Sequence, residues 1–143
     1  YFEIEAYGGG VFNIEALRIE GTSPPHSYGY NAKYCDDDGG EFYVSANPGD
    51  QVVLNIGHLK IGDCAYLDIE GNTVINVPGP GKKIQIGLQT QIEWPILAPE
   101  RNIVVKGSGD DTSTYVDLVW VRRALMRGFV SQYNFSDVPF CGP

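Results

Sequence analysis

The stretch Gly107-Ser-Gly-Asp-Asp-Thr-Ser-Thr-Tyr-Val-Asp-Leu-Val-Trp-Val121 joins an acidic turn to a β-strand pattern. Glycine and small hydroxylated residues surround Asp110 and Asp111, so the backbone can bend and the carboxylates are exposed. From Tyr115 onward the residues are almost all aromatic, β-branched or Leu, which favours a strand over a helix. Asp117 interrupts this apolar run. Its carboxylate needs a hydrogen bond, a counter-ion or a metal unless it points outward on an edge strand.

Short segments of the same kind recur along the chain. Residues 1–6 alternate in polarity, which places Glu3 and Glu5 on one side of a strand. These carboxylates either flank a cation or form a solvated edge that discourages aggregation. Gly71-Asn72 between two apolar runs predicts a tight hairpin. About ten strands at spacings near ten residues predict an all-β fold, an antiparallel β-sandwich or jelly roll over residues 1–123.

The composition limits the classes of partner. The chain has 143 residues, which suits a single domain, and a net charge of -8 with only 10 Lys and Arg. Such a charge disfavours nucleic acid and anionic membranes as partners and leaves a metal cation or a neutral ligand. No apolar run approaches the ~20 residues of a membrane helix. Tyr1 stands in place of an initiator Met, so we expect a mature or excised product. We separately expect the protein to be secreted.

The three cysteines are Cys35, Cys64 and Cys141. Their number allows one disulfide and one remaining thiol, and the sequence leaves the pairing open. Their spacing does not fit a structural zinc site.

Residues 21–40 form a long irregular segment rich in aromatic and acidic residues, a composition typical of a binding loop. Its rings could stack on the apolar faces of sugars or contact a protein partner, or they could complete the core. Its three adjacent carboxylates could bind a cation. The candidate ligand-binding residues in this segment are Tyr28, Tyr30, Tyr34, Asp36, Asp37 and Asp38.

Residues 124–143 form an apolar C-terminal tail appended to the predicted sandwich. Eight large apolar side chains make it too hydrophobic for a disordered segment. We expect it to pack on the domain or on a neighbouring module or subunit.

Two acidic motifs resemble those of the calcium-binding β-sandwich carbohydrate-binding modules, especially the calcium-dependent, xylan-binding ones. Glu3-Ile4-Glu5-Ala6 matches their opening Glu-x-Glu strand, and Tyr115-Val116-Asp117 matches their closing Tyr-Val-Asp strand. The acidic loop Gly109-Asp110-Asp111-Thr112 resembles the start of their ligand-binding loop. The loop between Asp111 and Tyr115 is shorter than in the family, and the C-terminal tail is not part of it.

The resemblance implies a calcium-dependent, non-catalytic module that binds a plant-type polysaccharide. The implied calcium ligands are Glu3, Glu5 and Asp117, with Asp110 and Asp111 at a second site, because calcium accepts six to eight oxygen ligands in flexible geometry. An alternative is a secreted structural subunit that forms filaments or a surface layer by strand exchange, through the N-terminal strand and the C-terminal tail. An enzyme is the third class. Glu93 and Glu100 could form a carboxylate pair, but no nucleophile, His-pair or phosphate-loop motif supports it.

Overall fold

The structure is a computed structural model that describes residues 1–21, 27–28, 32–33, 39–88, 90–107, 114–116, 119–127 and 130–131. Within these ranges every regular element is a β-strand. None of the described segments forms a helix that is long and apolar enough to span a bilayer.

Sixteen strands are described, and most are short. In chain order they are β1 (Phe2–Glu5), β2 (Gly10–Ile14), β3 (Leu17–Ile19), β4 (Ser27–Tyr28), β5 (Ala32–Lys33), β6 (Glu41–Ser45), β7 (Gln51–Ile56), β8 (Leu59–Ile61), β9 (Tyr66–Ile69), β10 (Asn72–Asn76), β11 (Ile84–Ile86), β12 (Gln91–Ile92), β13 (Ile96–Lys106), β14 (Thr114–Val116), β15 (Val119–Arg127) and β16 (Val130–Ser131).

Successive turns of the chain stack on one another in a parallel register. The triplets β1–β2–β3, β6–β7–β8 and β9–β10–β11 form three consecutive coils, and each strand pairs with its counterpart in the next coil. In the following coils the long, bent strands β13 and β15 each supply two sides, and they pair with each other. The coils therefore enclose a three-sided column. We name its sides face A (β1, β6, β9), face B (β2, β7, β10) and face C (β3, β8, β11).

The bend in β13 joins faces B and C into one sheet. Its first residues pair with β10 and its last residues pair with β11. The eight-stranded sheet therefore runs in the order β2-β7-β10-β13-β11-β8-β3, with β15 paired to β13, and it nearly closes on itself like a barrel.

The core fills the interior of the column. Along β7 exposed or half-buried residues alternate with buried ones, and the same alternation occurs in β6 and β10. The largest fully buried side chains are aliphatic apart from Phe42. Removing each of these side chains from water stabilises the folded state by about 1.5–3 kcal/mol. The sum of these contributions offsets the loss of conformational entropy when many short strands become ordered.

A buried arginine fastens one corner of the column. Arg101, at the bend of β13, is 5% exposed. Its guanidinium donates hydrogen bonds to four backbone carbonyl oxygens, those of Gly57, Pro78, Gly79 and Lys82, at 2.6–3.1 Å. The turn before β11 is thereby tied to two neighbouring coils.

The predicted antiparallel sandwich is wrong, because all strand pairs of faces A, B and C are parallel. In the described residues only β4 and β5 pair in antiparallel fashion. The predicted hairpin at Gly71-Asn72 is also wrong. β9 pairs with β6, and β10 pairs with β7 and β13, so the chain turns a corner there instead of folding back. Alternating polarity indicates which side chains face inward. Parallel and antiparallel strands show the same alternation, so the pattern does not distinguish a sandwich of antiparallel strands from a stack of parallel coils.

The predicted boundary between sandwich and tail falls inside a strand. β15 continues across residues 123 and 124 and remains paired with β13 as far as Arg127. Residues 124–127 therefore belong to the column, whereas residues 132–143 lie outside the described ranges.

Candidate functional site

The outer side of face A collects tyrosines and carboxylates on neighbouring strands. The register pairs Glu3 with Tyr43 and Tyr43 with Asp68, and it pairs Glu41 with Tyr66. Because buried residues alternate with these positions, their side chains point away from the core. We call this region the tyrosine–carboxylate surface and define it by Tyr1, Tyr43, Tyr66, Glu3, Glu41 and Asp68.

Three tyrosine rings form the centre of this surface. The ring centroids of Tyr1 and Tyr43 lie 5.1 Å apart, with the planes inclined by 37°. Those of Tyr43 and Tyr66 lie 5.8 Å apart, with an inclination of 52°. Tyr1 is 80% exposed and Tyr66 is 44% exposed. The rings therefore form a continuous aromatic patch that remains open to solvent.

Carboxylates hold two of these tyrosines by hydrogen bonds. The hydroxyl of Tyr1 donates to Oε2 of Glu3 at 2.5 Å, and Ser45 Oγ donates to the other oxygen, Oε1, at 2.9 Å. The hydroxyl of Tyr43 donates to Oε2 of Glu41 at 3.2 Å. Both oxygens of Glu3 are thus engaged, and its carboxylate orients Tyr1 on the strand next to Tyr43.

These contacts change the acidities of the groups. The hydrogen bond to Glu3, followed by desolvation, raises the pKa of Tyr1 to about 12. The hydrogen bonds from Tyr1 and then Ser45 lower the pKa of Glu3 below its usual value. Desolvation, followed by the charge of Glu41, raises the pKa of Tyr43. At neutral pH the phenols of Tyr1 and Tyr43 are therefore neutral and the carboxylate of Glu3 is ionised, a combination that offers apolar faces and hydrogen-bond acceptors.

The predicted calcium ligands are only partly described. Glu3 and Glu5 are exposed on β1, as the alternation predicts. Asp110, Asp111 and Asp117 lie outside the described residues. Within the described ranges no group of three or more His, Cys, Asp or Glu residues is arranged to hold a metal ion.

The opening and closing strands of the predicted sandwich do not pair. β1 pairs with β6, whereas β14, which ends one residue before Asp117, pairs with β12 and β16. In the described part of the chain β1 and β14 are therefore not neighbours, whereas the resemblance implies that they pair. The metal-ligating roles of the individual carboxylates stay predictions.

The predicted aromatic platform in residues 21–40 also lies mostly outside the described residues. Of its six candidates, only the backbone of Tyr28 is described, in β4. The candidates that fall outside the described ranges are Tyr30, Tyr34, Asp36, Asp37 and Asp38. The predicted disulfide likewise stays a prediction, because Cys35 and Cys141 fall outside the same ranges.

Sequence reasoning missed Tyr43 and Tyr66 as site residues. The available signal was the alternation of Glu41-Phe-Tyr-Val-Ser and Tyr66-Leu-Asp-Ile, which places both tyrosines on the polar side of their strands. The sequence alone does not give the parallel register, which places Glu41 directly beside Tyr66.

Comparison with protein-family models, with curated proteins and with solved structures finds no match for this chain.

Proposed function

We propose that this protein binds a neutral polysaccharide, without catalysis, on the tyrosine–carboxylate surface. The observation that carries the proposal is the contiguous set of tyrosine rings on adjacent coils, in which the half-buried ring of Tyr43 joins the exposed rings of Tyr1 and Tyr66. Aromatic rings pack against the C–H faces of sugars, and tyrosine provides a polar edge beside that apolar face. Glu3, Glu41 and Asp68 supply acceptors for sugar hydroxyls.

The charge of this surface selects among saccharides. Its carboxylates lie at directly paired positions on neighbouring strands, close to the rings. An acidic sugar chain would be repelled here, whereas a neutral chain would exchange water for carboxylate acceptors. A plant-type polysaccharide of neutral sugars, such as xylan, therefore fits the surface. This function also fits a protein that acts outside the cell.

Isothermal titration calorimetry with xylohexaose and cellohexaose tests the proposal. Tyr66→Ala should weaken binding roughly five- to tenfold, because it removes one exposed ring from the patch. Tyr7→Ala is the matched control, since Tyr7 is 62% exposed but lies outside the strands of face A. Equal affinities of wild type and Tyr66→Ala, or no binding of either neutral oligosaccharide, would contradict the proposal.

Calcium dependence is a separate part of the proposal. The carboxylates Glu3 and Glu5, both exposed on β1, are the described members of the predicted ligand set. The same titration, repeated after removal of divalent ions with a chelator, should show weaker binding. Unchanged binding would show that calcium is not needed for recognition, and it would not contradict binding on the tyrosine–carboxylate surface.

Assembly into a filament or surface layer is a second candidate function. In the described residues β1, β2 and β3 each pair with one strand only, so one edge of each can accept a further strand. Phe2, on β1, stacks on buried Phe42 and is 50% exposed. Light scattering distinguishes the two functions, because assembly predicts large polymers and the binding module predicts a monomer that takes up oligosaccharide.

A further inference from the structure

Face C is continued by residues 102–106 of β13 and residues 123–127 of β15, and this extended face carries a concentration of positive charge that the proposed function does not use. The register aligns Arg18 with Lys60, Lys60 with Gln85, Gln85 with Val104 and Val104 with Leu125. A second pair of outward positions holds Asn102 and Arg123. We define the basic face by its exposed cations, which are Arg18, Lys60, Lys83, Lys106 and Arg123.

The basic face contrasts with the composition of the whole chain. The protein has 18 acidic residues and 10 basic ones. Nevertheless, none of the outward positions of β3, β8 and β11, of residues 102–106 in β13 or of residues 123–126 in β15 is Asp or Glu. Exposed acids flank these segments, because Glu20 follows β3 and Glu100 lies at the bend of β13. The acidic side chains in the strands of face A lie on another side of the column. The outward charges within those segments of the extended face are therefore all positive, although the protein as a whole is acidic.

Few of these cations form ion pairs with acidic side chains of the described residues. Over the described ranges the sole ion pair joins Lys106 Nζ to Asp63 Oδ1 at 3.9 Å. Arg18 and Lys60 are direct cross-strand neighbours, an arrangement of like charges that destabilises a sheet. An external anion would relieve this repulsion.

His58, which precedes β8, lies close to several of these positive charges. Its Nδ1 lies 3.5 Å from the guanidinium of Arg18. Burial, and then the charges of Arg18, Lys82, Arg101 and Lys60, lower the pKa of His58 below its usual value. The imidazole is thus held neutral at neutral pH beside several cations.

We propose that the basic face binds a linear polysaccharide that carries carboxylate groups, as a uronic acid polymer does. Adjacent coils lie about 4.8 Å apart, so Arg18 and Lys60 place two cations on neighbouring coils, and the next three positions of the row are uncharged. Carboxylates on a sugar chain can pair with these two cations. Gln85 offers an amide to hydroxyls, and Val104 and Leu125 offer apolar contact to ring C–H groups.

Nucleic acid fits this face less well. Single strands are held by stacking of bases on aromatic side chains. None of the outward positions of β3, β8 and β11, of residues 102–106 or of residues 123–126 is aromatic, and exposed Trp120 lies in the earlier part of β15 that pairs with Leu97. Binding to a duplex depends on neutralising many phosphates, which a chain with a net charge of -8 opposes at long range. A sugar polymer with sparser carboxylates needs fewer cations.

Calorimetric titration of the full chain with polygalacturonate tests the inference. Lys60→Gln should weaken binding roughly three- to fivefold, and Lys60→Arg should retain it, because the charge is then kept. Gln51→Glu, on exposed Gln51 of face B, is the matched control, since it also changes the net charge from -8 to -9. Wild-type binding should fall roughly tenfold when the salt concentration is raised fourfold.

Several outcomes would overturn the inference. These are the absence of polygalacturonate binding, equal weakening by Lys60→Gln and Gln51→Glu, and tighter binding of duplex DNA or of heparin than of polygalacturonate. Tyr66→Ala should leave polygalacturonate binding unchanged, so this site can fail or succeed independently of the tyrosine–carboxylate surface. Thermal melting of each variant confirms that the fold is intact.

Discussion

At the scale of single residues, Glu3 organises the tyrosine–carboxylate surface. It accepts hydrogen bonds from Tyr1 and Ser45, and it is the cross-strand partner of Tyr43. The ionised form of Glu3 and the neutral form of Tyr1 stabilise each other. This mutual contribution is lost as the pH falls through the lowered pKa of Glu3, and also as the pH rises from 10.0 through the raised pKa of Tyr1 at about 12.

Replacing Glu3 by Gln should restore ordinary acidity to one tyrosine. The substitution removes both the charge and the strong acceptor that raise the pKa of Tyr1, so this pKa should move from about 12 toward 10.0. Spectrophotometric titration of tyrosinate absorbance measures the change. Glu5→Gln is the control, because Glu5 is exposed on the same strand but is not among the causes of the shift. Superimposable curves for wild type and Glu3→Gln would refute the assignment.

At the scale of elements, an asparagine ladder links three coils on face B. Asn13, Asn55 and Asn76 occupy paired positions on β2, β7 and β10. Nδ2 of Asn55 donates to Oδ1 of Asn13, and Nδ2 of Asn76 donates to Oδ1 of Asn55, both at 2.9 Å. Identical residues at matching positions of successive coils thus repeat one side-chain contact along the column.

Replacing the middle asparagine of this ladder by alanine should reduce the stability of the protein more than replacing an asparagine at its end. Asn55→Ala removes two hydrogen bonds and should lower the free energy of unfolding by about 1–2 kcal/mol. Asn13→Ala removes one and should lower it by about 0.5–1 kcal/mol. Urea denaturation of the two variants gives the comparison. Equal losses would show that the ladder contributes nothing beyond the individual side chains.

The sequence predicts single strands of this fold better than their neighbours. Alternation correctly places Ile4 inward and Glu3 and Glu5 outward, because it depends only on the local period of two. Pairing depends on distant segments. Phe42 lies beside Phe2, 40 positions earlier, and beside Leu67, 25 positions later. A short apolar strand followed by a turn is compatible both with a hairpin and with the corner of a coil. The antiparallel prediction assumed hairpins, whereas the structure has corners between parallel coils.

The same limit applies to the candidate site. The outward carboxylates of β1 were predictable, whereas the placement of Tyr43 between Glu3 and Asp68 follows only from the parallel register. Charge segregation between faces A and C was hidden for the same reason, because Arg18 and Lys60 are 42 residues apart in the chain. The long-range register creates both surfaces.

At the scale of the whole molecule, the column is organised along one dimension. Each coil contacts mainly the coils before and after it, so its stability is close to a sum of coil contributions and nearest-neighbour contacts. β7 and β10 are paired on both edges, whereas β2 is paired with β7 alone in the described part of the chain. Half-buried Phe12 and Ile14 of β2 face fully buried Leu54 and Ile56 of β7.

Hydrogen exchange should therefore be graded along the column. Opening β2 breaks one set of interstrand hydrogen bonds and exposes side chains that are already half accessible. Opening β7 breaks two sets and exposes fully buried side chains. Mass-spectrometric exchange should show slower exchange in peptides covering residues 51–56 and 72–76 than in peptides covering residues 10–14. Uniform protection across these peptides would indicate that the column unfolds in a single cooperative step, and it would contradict the nearest-neighbour description.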